Sequence, residues 1–95
     1  MARDEMLTVF CYDVADDRAR RRIAAVLEER AARVQRSVFE ARLDARATRR
    51  LAERAARHLS AGDSLRVYAV GAAGRRRSLA FGPPPLAEDQ DFWLL

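Results

Sequence analysis

Hydrophobic positions change period along the chain, and the changes mark the elements. In Met6 to Val14 (MLTVFCYDV), Leu7, Val9 and Cys11 fall on one side of an extended segment and Phe10, Tyr12 and Val14 on the other. Rich in β-branched and aromatic residues and too short for a typical helix, this stretch reads as a first strand. The period then lengthens. Ala19, Ile23, Val26 and Leu27 share a face at helical spacing, predicting a helix capped by Asp16 or Asp17 and running to about Ala32. Arg33 to Leu43 (RVQRSVFEARL) returns to β-type residues as a second strand. Asp44 caps a second helix to about Leu59, with Thr48, Leu51, Ala52, Ala55 and Leu59 as its apolar stripe. "SAGD" at 60–63 places a glycine just past that helix. Ser64 to Val70 reads as a third strand, and "GAAGRRR" as a turn into a short fourth strand, Ser78 to Phe81. Pro83, Pro84 and Pro85 forbid further ladder pairing, and "DFWLL" predicts a short terminal strand.

This order, βαβαββ or βαββαβ if the second strand is split, predicts an α+β, ferredoxin-like fold: one antiparallel sheet with two helices on a single face. We take the ferredoxin-like βαββαβ unit over residues 1–82. A Pro-rich connector and C-terminal strand over 83–95 belong to the same domain. Two helices cover one sheet face, yet the first and third strands carry apolar residues on both. A second copy packed sheet to sheet, a homodimer, is the expected cover. "FWLL" is expected to pair with a sheet edge, its own or its partner's.

Composition narrows the partners. Hydrophobic residues make up 49% of the chain and charged residues 34%, as in a folded soluble domain rather than a disordered one. All 18 basic residues are arginine, and the net charge is +4. Planar guanidinium forks suit phosphate, so a nucleic-acid partner is favoured over an acidic protein. The lone Cys11 excludes an internal disulfide, and Met1 to Glu5 leads into a strand rather than a secretory signal. No apolar run approaches the ~20 residues that span a bilayer. A cytoplasmic protein without a membrane partner is expected.

Candidate chemistry is sparse. There is no glycine-rich phosphate loop, no Cys/His cluster at zinc spacing and no triad. His58, the one histidine, sits near the edge of the second helix's apolar stripe and reads as a packing residue. Cys11, between Phe10 and Tyr12, reads as a small buried apolar residue. Most carboxylates suit helix starts or pair with helical arginines. Asp13 stands out because it ends the most apolar strand, where Asp is disfavoured. One carboxylate suffices for Mg²⁺ when waters and substrate phosphates complete the octahedron. Arg18 and Arg22, and the ladder Arg46, Arg50 and Arg54, place like charges at i,i+4. That pattern suits phosphate-backbone contact better than a solvated face. No aromatic motif for base stacking stands in the third strand.

Residues 12–43, "YDVADDRARRRIAAVLEERAARVQRSVFEARL", resemble the signature region of the CRISPR-associated protein two family. Tyr12-Asp13-Val14 ends the strand, an arginine-bearing helix follows, and Arg33 to Glu40 matches the family's Arg-Val-Gln-x-Ser-Val-Phe-Glu strand. Arg36 stands where the family often has an aromatic residue. The resemblance implies a homodimer with facing sheets, whose C-terminal strands add to the partner's sheet. It implies a scaffold for spacer acquisition that bridges the larger integrase subunit, CRISPR-associated protein one, and lies along protospacer DNA. It also implies Mg²⁺-dependent endonuclease activity on RNA or DNA (Mn²⁺ being an alternative ion), with Asp13 as catalytic metal ligand. Tyr12, Ser37 and Phe39 would shape that site. Arg20, Arg22, Arg75, Arg76 and Arg77 are the expected phosphate contacts, the last three on charge and position alone. A stand-alone, toxin-type ribonuclease of the same fold is the alternative. A small ligand-binding regulatory dimer is a third reading, and it has no use for the arginine ladders.

Overall fold

Alternation in the first strand separates what the helices cover from what they leave open. A computed structural model describes residues 4–71, 74–84 and 86. The elements run β1 (Met6–Asp13), α1 (Asp17–Leu27), β2 (Ala32–Gln35), β3 (Val38–Leu43), α2 (Ala45–Ala56), β4 (Ser64–Val70), α3 (Gly74–Arg77) and β5 (Leu79–Phe81). The strands form one five-stranded sheet in the order β2-β3-β1-β4-β5, with every neighbouring pair antiparallel. The core β2-β3-β1-β4 with its two helices is the expected ferredoxin-like arrangement, and β5 extends it at one edge.

Thr8, Phe10 and Tyr12 point from β1 into the helix-covered layer, where they meet Phe39 and Leu43 of β3 and Leu65 and Val67 of β4. From α1, Ile23 and Leu27 close on them, and from α2, Leu51, Ala52 and Ala55. Leu7, Val9 and Cys11 point the other way and are only half-buried, and Val70 on β4 is 55% exposed. The two-sided apolar pattern therefore belongs to a sheet with one open face.

Both helices start as the sequence predicts, but they end earlier. Asp16 accepts the Ala19 N–H at 2.8 Å, and Asp44 accepts the Ala47 N–H at 2.7 Å. Each such cap contributes about 1 kcal/mol. α1 stops at Leu27 rather than Ala32. Glu28 and Glu29 bring negative charge to the negative end of the helix dipole, and Glu29 and Arg30 bond three residues back in a tightened turn. Arg54 of α2 meets the displaced Glu29 in a two-pronged ion pair at 2.7 and 2.8 Å. α2 stops at Ala56 rather than Leu59 for a similar reason, since His58 and Leu59 also bond three residues back.

Two further points concern turns. Of the two readings of Arg33–Leu43, the split one demanded by the βαββαβ order holds: the stretch is a hairpin, β2 and β3, reversing at Arg36-Ser37. No described non-glycine residue has positive φ, so this turn lacks the mirror-image geometry usual in two-residue hairpins. A register shift between Arg33 and Gln35 supplies the extra twist instead. The expected turn at "GRRR" is the single helical turn α3. A Cβ on Gly74 would sit 1.7 Å from the Ala69 carbonyl oxygen, so only glycine permits this approach to β4. Ser78 Oγ fastens it, donating to the Gly74 carbonyl at 2.7 Å and accepting the Ala69 N–H at 3.1 Å. The expected terminal strand "DFWLL" lies outside the described residues. None of the described helices is long and apolar enough to cross a membrane.

Candidate nucleic-acid and metal site

β1 delivers Asp13 to the end of the sheet, where three elements converge. The Tyr12 N–H donates to the Ser37 carbonyl at 3.1 Å, which holds the β2–β3 hairpin tip beside the end of β1. α1 begins a few residues on. Between them lies a pocket of about 590 Å³. Tyr12, Asp13 and Val14 line it from β1 and the loop after it, Asp17, Arg20 and Arg21 from α1, and Arg33, Arg36 and Ser37 from the hairpin.

A buried aromatic pair backs the pocket. Tyr12 is buried, and its ring stacks on Phe39 with centroids 6.3 Å apart and planes at 27°. Phe39 is fully buried, and the Arg33 guanidinium lies over its ring at 5.1 Å. The expected shaping residues Tyr12, Ser37 and Phe39 are thus gathered at Asp13, with Phe39 acting from beneath.

The arginines divide by what they touch. Arg20 reaches the pocket, but its Nη1 donates to the Val14 and Ala15 carbonyls, both at 2.8 Å, and its Nη2 pairs with Asp17. It latches the loop that follows Asp13. A second latch comes from buried Asp63, whose Oδ1 accepts the Ala15 N–H at 3.3 Å and whose Oδ2 accepts the Ser60 N–H at 2.8 Å. Arg22 is exposed and does not line the pocket. Arg76 is exposed on α3, and the Arg75 side chain lies outside the described residues. Arg77 donates to the carbonyls of Asp4 at 2.8 Å and Leu43 at 3.1 Å. Leu43 pairs with Met6 at the start of β1, about 23 Å along the strand from Asp13 at roughly 3.3 Å per residue.

Sequence reading missed Arg21 and Arg33 as pocket residues and gave Arg36 no role there. The turn at Arg36-Ser37, had it been recognised, would have brought the hairpin arginines to the end of β1. Cys11 and His58 lie outside the pocket. Burial pushes the Cys11 thiol up, with the nearby Arg66 charge opposing it, so the group stays protonated at neutral pH.

Asp13 is exposed, and its carboxylate has no hydrogen-bond or ion-pair partner among the described residues. Asp17, the other carboxylate in the pocket, is paired with Arg20. Among the described residues no three His, Cys, Asp or Glu side chains gather as a metal cage. A single carboxylate without a partner among the described residues fits an open Mg²⁺ site, whose other positions water and phosphate oxygens would have to fill.

The profile described as CRISPR associated protein Cas2 matches residues 6–78. The chain is 44% identical over 87 residues to a Synechocystis protein named CRISPR-associated endoribonuclease Cas2 2, covering 90% of this chain and 94% of the relative. It is 44% identical over 80 residues to the CRISPR-associated endonuclease Cas2 2 of Thermus thermophilus, covering 83% and 87%. A crystal structure of a hypothetical Thermus thermophilus protein superposes with a TM-score of 0.66 at 43% identity, covering 70% of this chain and 83% of that one. With the sheet order, the Tyr12-Asp13 strand end and these matches in agreement, the chain belongs to the CRISPR-associated protein Cas2 family.

Proposed function

We propose that this protein serves CRISPR adaptation as a homodimeric scaffold on nucleic-acid backbone and cleaves phosphodiesters with a divalent ion at Asp13. The observation that carries the reading is the free Asp13 carboxylate in an arginine-lined pocket. The relatives named endoribonuclease and endonuclease support the same chemistry. Asp13 would hold Mg²⁺, or Mn²⁺ in its place. When bound, the ion supplies Lewis-acid stabilisation of charge developing on the phosphate. The chain's own part is positional and electrostatic. The Arg20 latch fixes the loop behind Asp13, and the arginines lining the pocket give it a positive field that draws the strand's backbone in.

Among the described residues the aromatic side chains at the pocket, Tyr12 and Phe39, are both buried. This lining favours contact with the phosphate backbone over stacking of bases on aromatic rings, in DNA and RNA alike. The half-buried Leu7, Val9 and Cys11 on the open sheet face support dimerisation through that face. Asp13, on the same side by alternation, would then approach its counterpart. Arg22, Arg75 and Arg76 are proposed as outlying phosphate contacts, and the larger integrase subunit as the partner of the dimer. Arg77, bonded to two backbone carbonyls, is left out of the contact set.

Asp13→Ala is the direct test. It should lower Mg²⁺-dependent cleavage of a labelled oligonucleotide by at least about 100-fold, the scale expected when an essential metal ligand is removed. Oligomeric state by sedimentation and DNA affinity should stay unchanged. Cleavage that persists would remove Asp13 from the metal site.

A further inference from the structure

We infer that the pocket beside Asp13 contains a second phosphate subsite, formed by Arg33, Arg36, Arg21 and the Ser37 hydroxyl, which holds a phosphate of the bound strand other than the one at Asp13. This rests on the reading of Asp13 as the cleavage position, which says whose phosphate it is. The binding itself follows from the pocket's own chemistry.

Charge is the first argument. Among the described residues four guanidiniums line the pocket against two carboxylates, and the Arg20–Asp17 pair cancels within itself. Arg20 is further engaged by the Val14 and Ala15 carbonyls. Three guanidiniums then face the single carboxylate of Asp13, which a divalent ion would neutralise. The guanidiniums of Arg21 and Arg36 have no hydrogen-bond or ion-pair partner among the described residues.

Geometry is the second. Arg33 is held by the face of Phe39 rather than by an acid. Stacking uses the plane of a guanidinium and leaves its N–H edge available to oxygen acceptors, the bidentate mode in which arginine takes phosphate. The tip bearing Arg36 and Ser37 is fixed by the Tyr12 N–H bond to the Ser37 carbonyl and by the Tyr12–Phe39 stack. The donors are therefore organised before a ligand arrives. Size is the third. About 590 Å³ lies in the usual range for ligand pockets and holds a phosphate together with its sugar.

The experiment uses three thymidine dinucleotides as probes: TpT, the 5′-phosphorylated pTpT and the 3′-phosphorylated TpTp. Binding to the full chain is titrated by calorimetry in metal-free buffer at low salt. One of the phosphorylated probes is expected to bind about 10-fold tighter than TpT, the scale of one added charge-assisted contact. In Arg33→Gln and in Arg36→Gln that ratio should fall to within about 2-fold, whereas Arg30→Gln, exposed outside the pocket, should preserve it. Both substituted side chains are exposed, and thermal melts confirm that each variant folds. A ratio near one in the unaltered protein, or a ratio that survives both pocket variants, overturns the subsite. Because no metal is present and nothing is cut, failure here is distinct from failure of the Asp13 cleavage test.

Discussion

Where β1 begins, Arg77 gives both terminal nitrogens to carbonyl oxygens, those of Asp4 and Leu43. Where β1 ends, the guanidiniums of Arg21 and Arg36 meet no acceptor among the described residues, and Arg33 rests on the face of an aromatic ring. The side chains are identical and the two places lie on one strand. What differs is the supply of backbone carbonyls. At the β1 start, chain ends and loop segments leave carbonyls unpaired, and a guanidinium satisfies them. At the β1 end, the Arg20 latch has already taken the loop carbonyls, so the remaining arginines keep their donors for a ligand. A chain whose basic residues are all arginine thus sorts them by local backbone geometry into staples and contacts.

The sharpest way to break this contrast is to truncate one arginine of each kind. Arg77→Ala should cost about 2 kcal/mol of stability in urea unfolding, the scale for hydrogen bonds from a charged donor. Its Nε, buried without a partner, tempers that loss. Arg36→Ala should stay within about 0.5 kcal/mol, as for an exposed side chain with no partner. Equal losses would end the distinction.

Nucleic-acid binding should invert the order. Plotting log affinity for a DNA duplex against log salt, Arg36→Gln should flatten the slope by about 0.9, the loss of one phosphate contact. Arg77→Gln should leave the slope unchanged. A flatter slope in Arg77→Gln would return that residue to the contact set.

The smallest effect concerns the exposed Arg54–Glu29 pair. Arg54 holds the Glu29 carboxyl below its ordinary value of 4.5. A carboxyl depressed in the folded state adds stability above its unfolded value, and that contribution disappears as pH falls through the folded value. Glu29→Gln should therefore be slightly less stable than the unaltered protein at neutral pH, and the gap should close under acid. A gap that widens below pH 4.5 would contradict the sign.

Periodicity made the central elements legible. The two faces of β1, the stripes of α1 and α2, and the Asp44 cap are written in residue spacing, and the structure repeats them. Asp13 was legible because an acid at the end of an apolar strand breaks the local pattern. The place of the Arg36-Ser37 reversal was not, because the turn has no glycine, proline, asparagine or aspartate to mark it and the twist is absorbed upstream at the Arg33–Gln35 shift. The role of an arginine was least legible of all. Arg20 and Arg22 look alike in sequence, yet only Arg20 has loop carbonyls within reach.

The hairpin tip carries one more consequence. Among the described residues the fold uses only main-chain atoms of Arg36, its carbonyl lying 3.5 Å from the Tyr12 hydroxyl, while the side chain lines the pocket. Position 36 can therefore exchange one side chain for another with little change in folding stability. Substitution there would change the size and charge of the pocket rim while β1 and its aspartate stay in place, so this one position separates the pocket's chemistry from the stability of its scaffold.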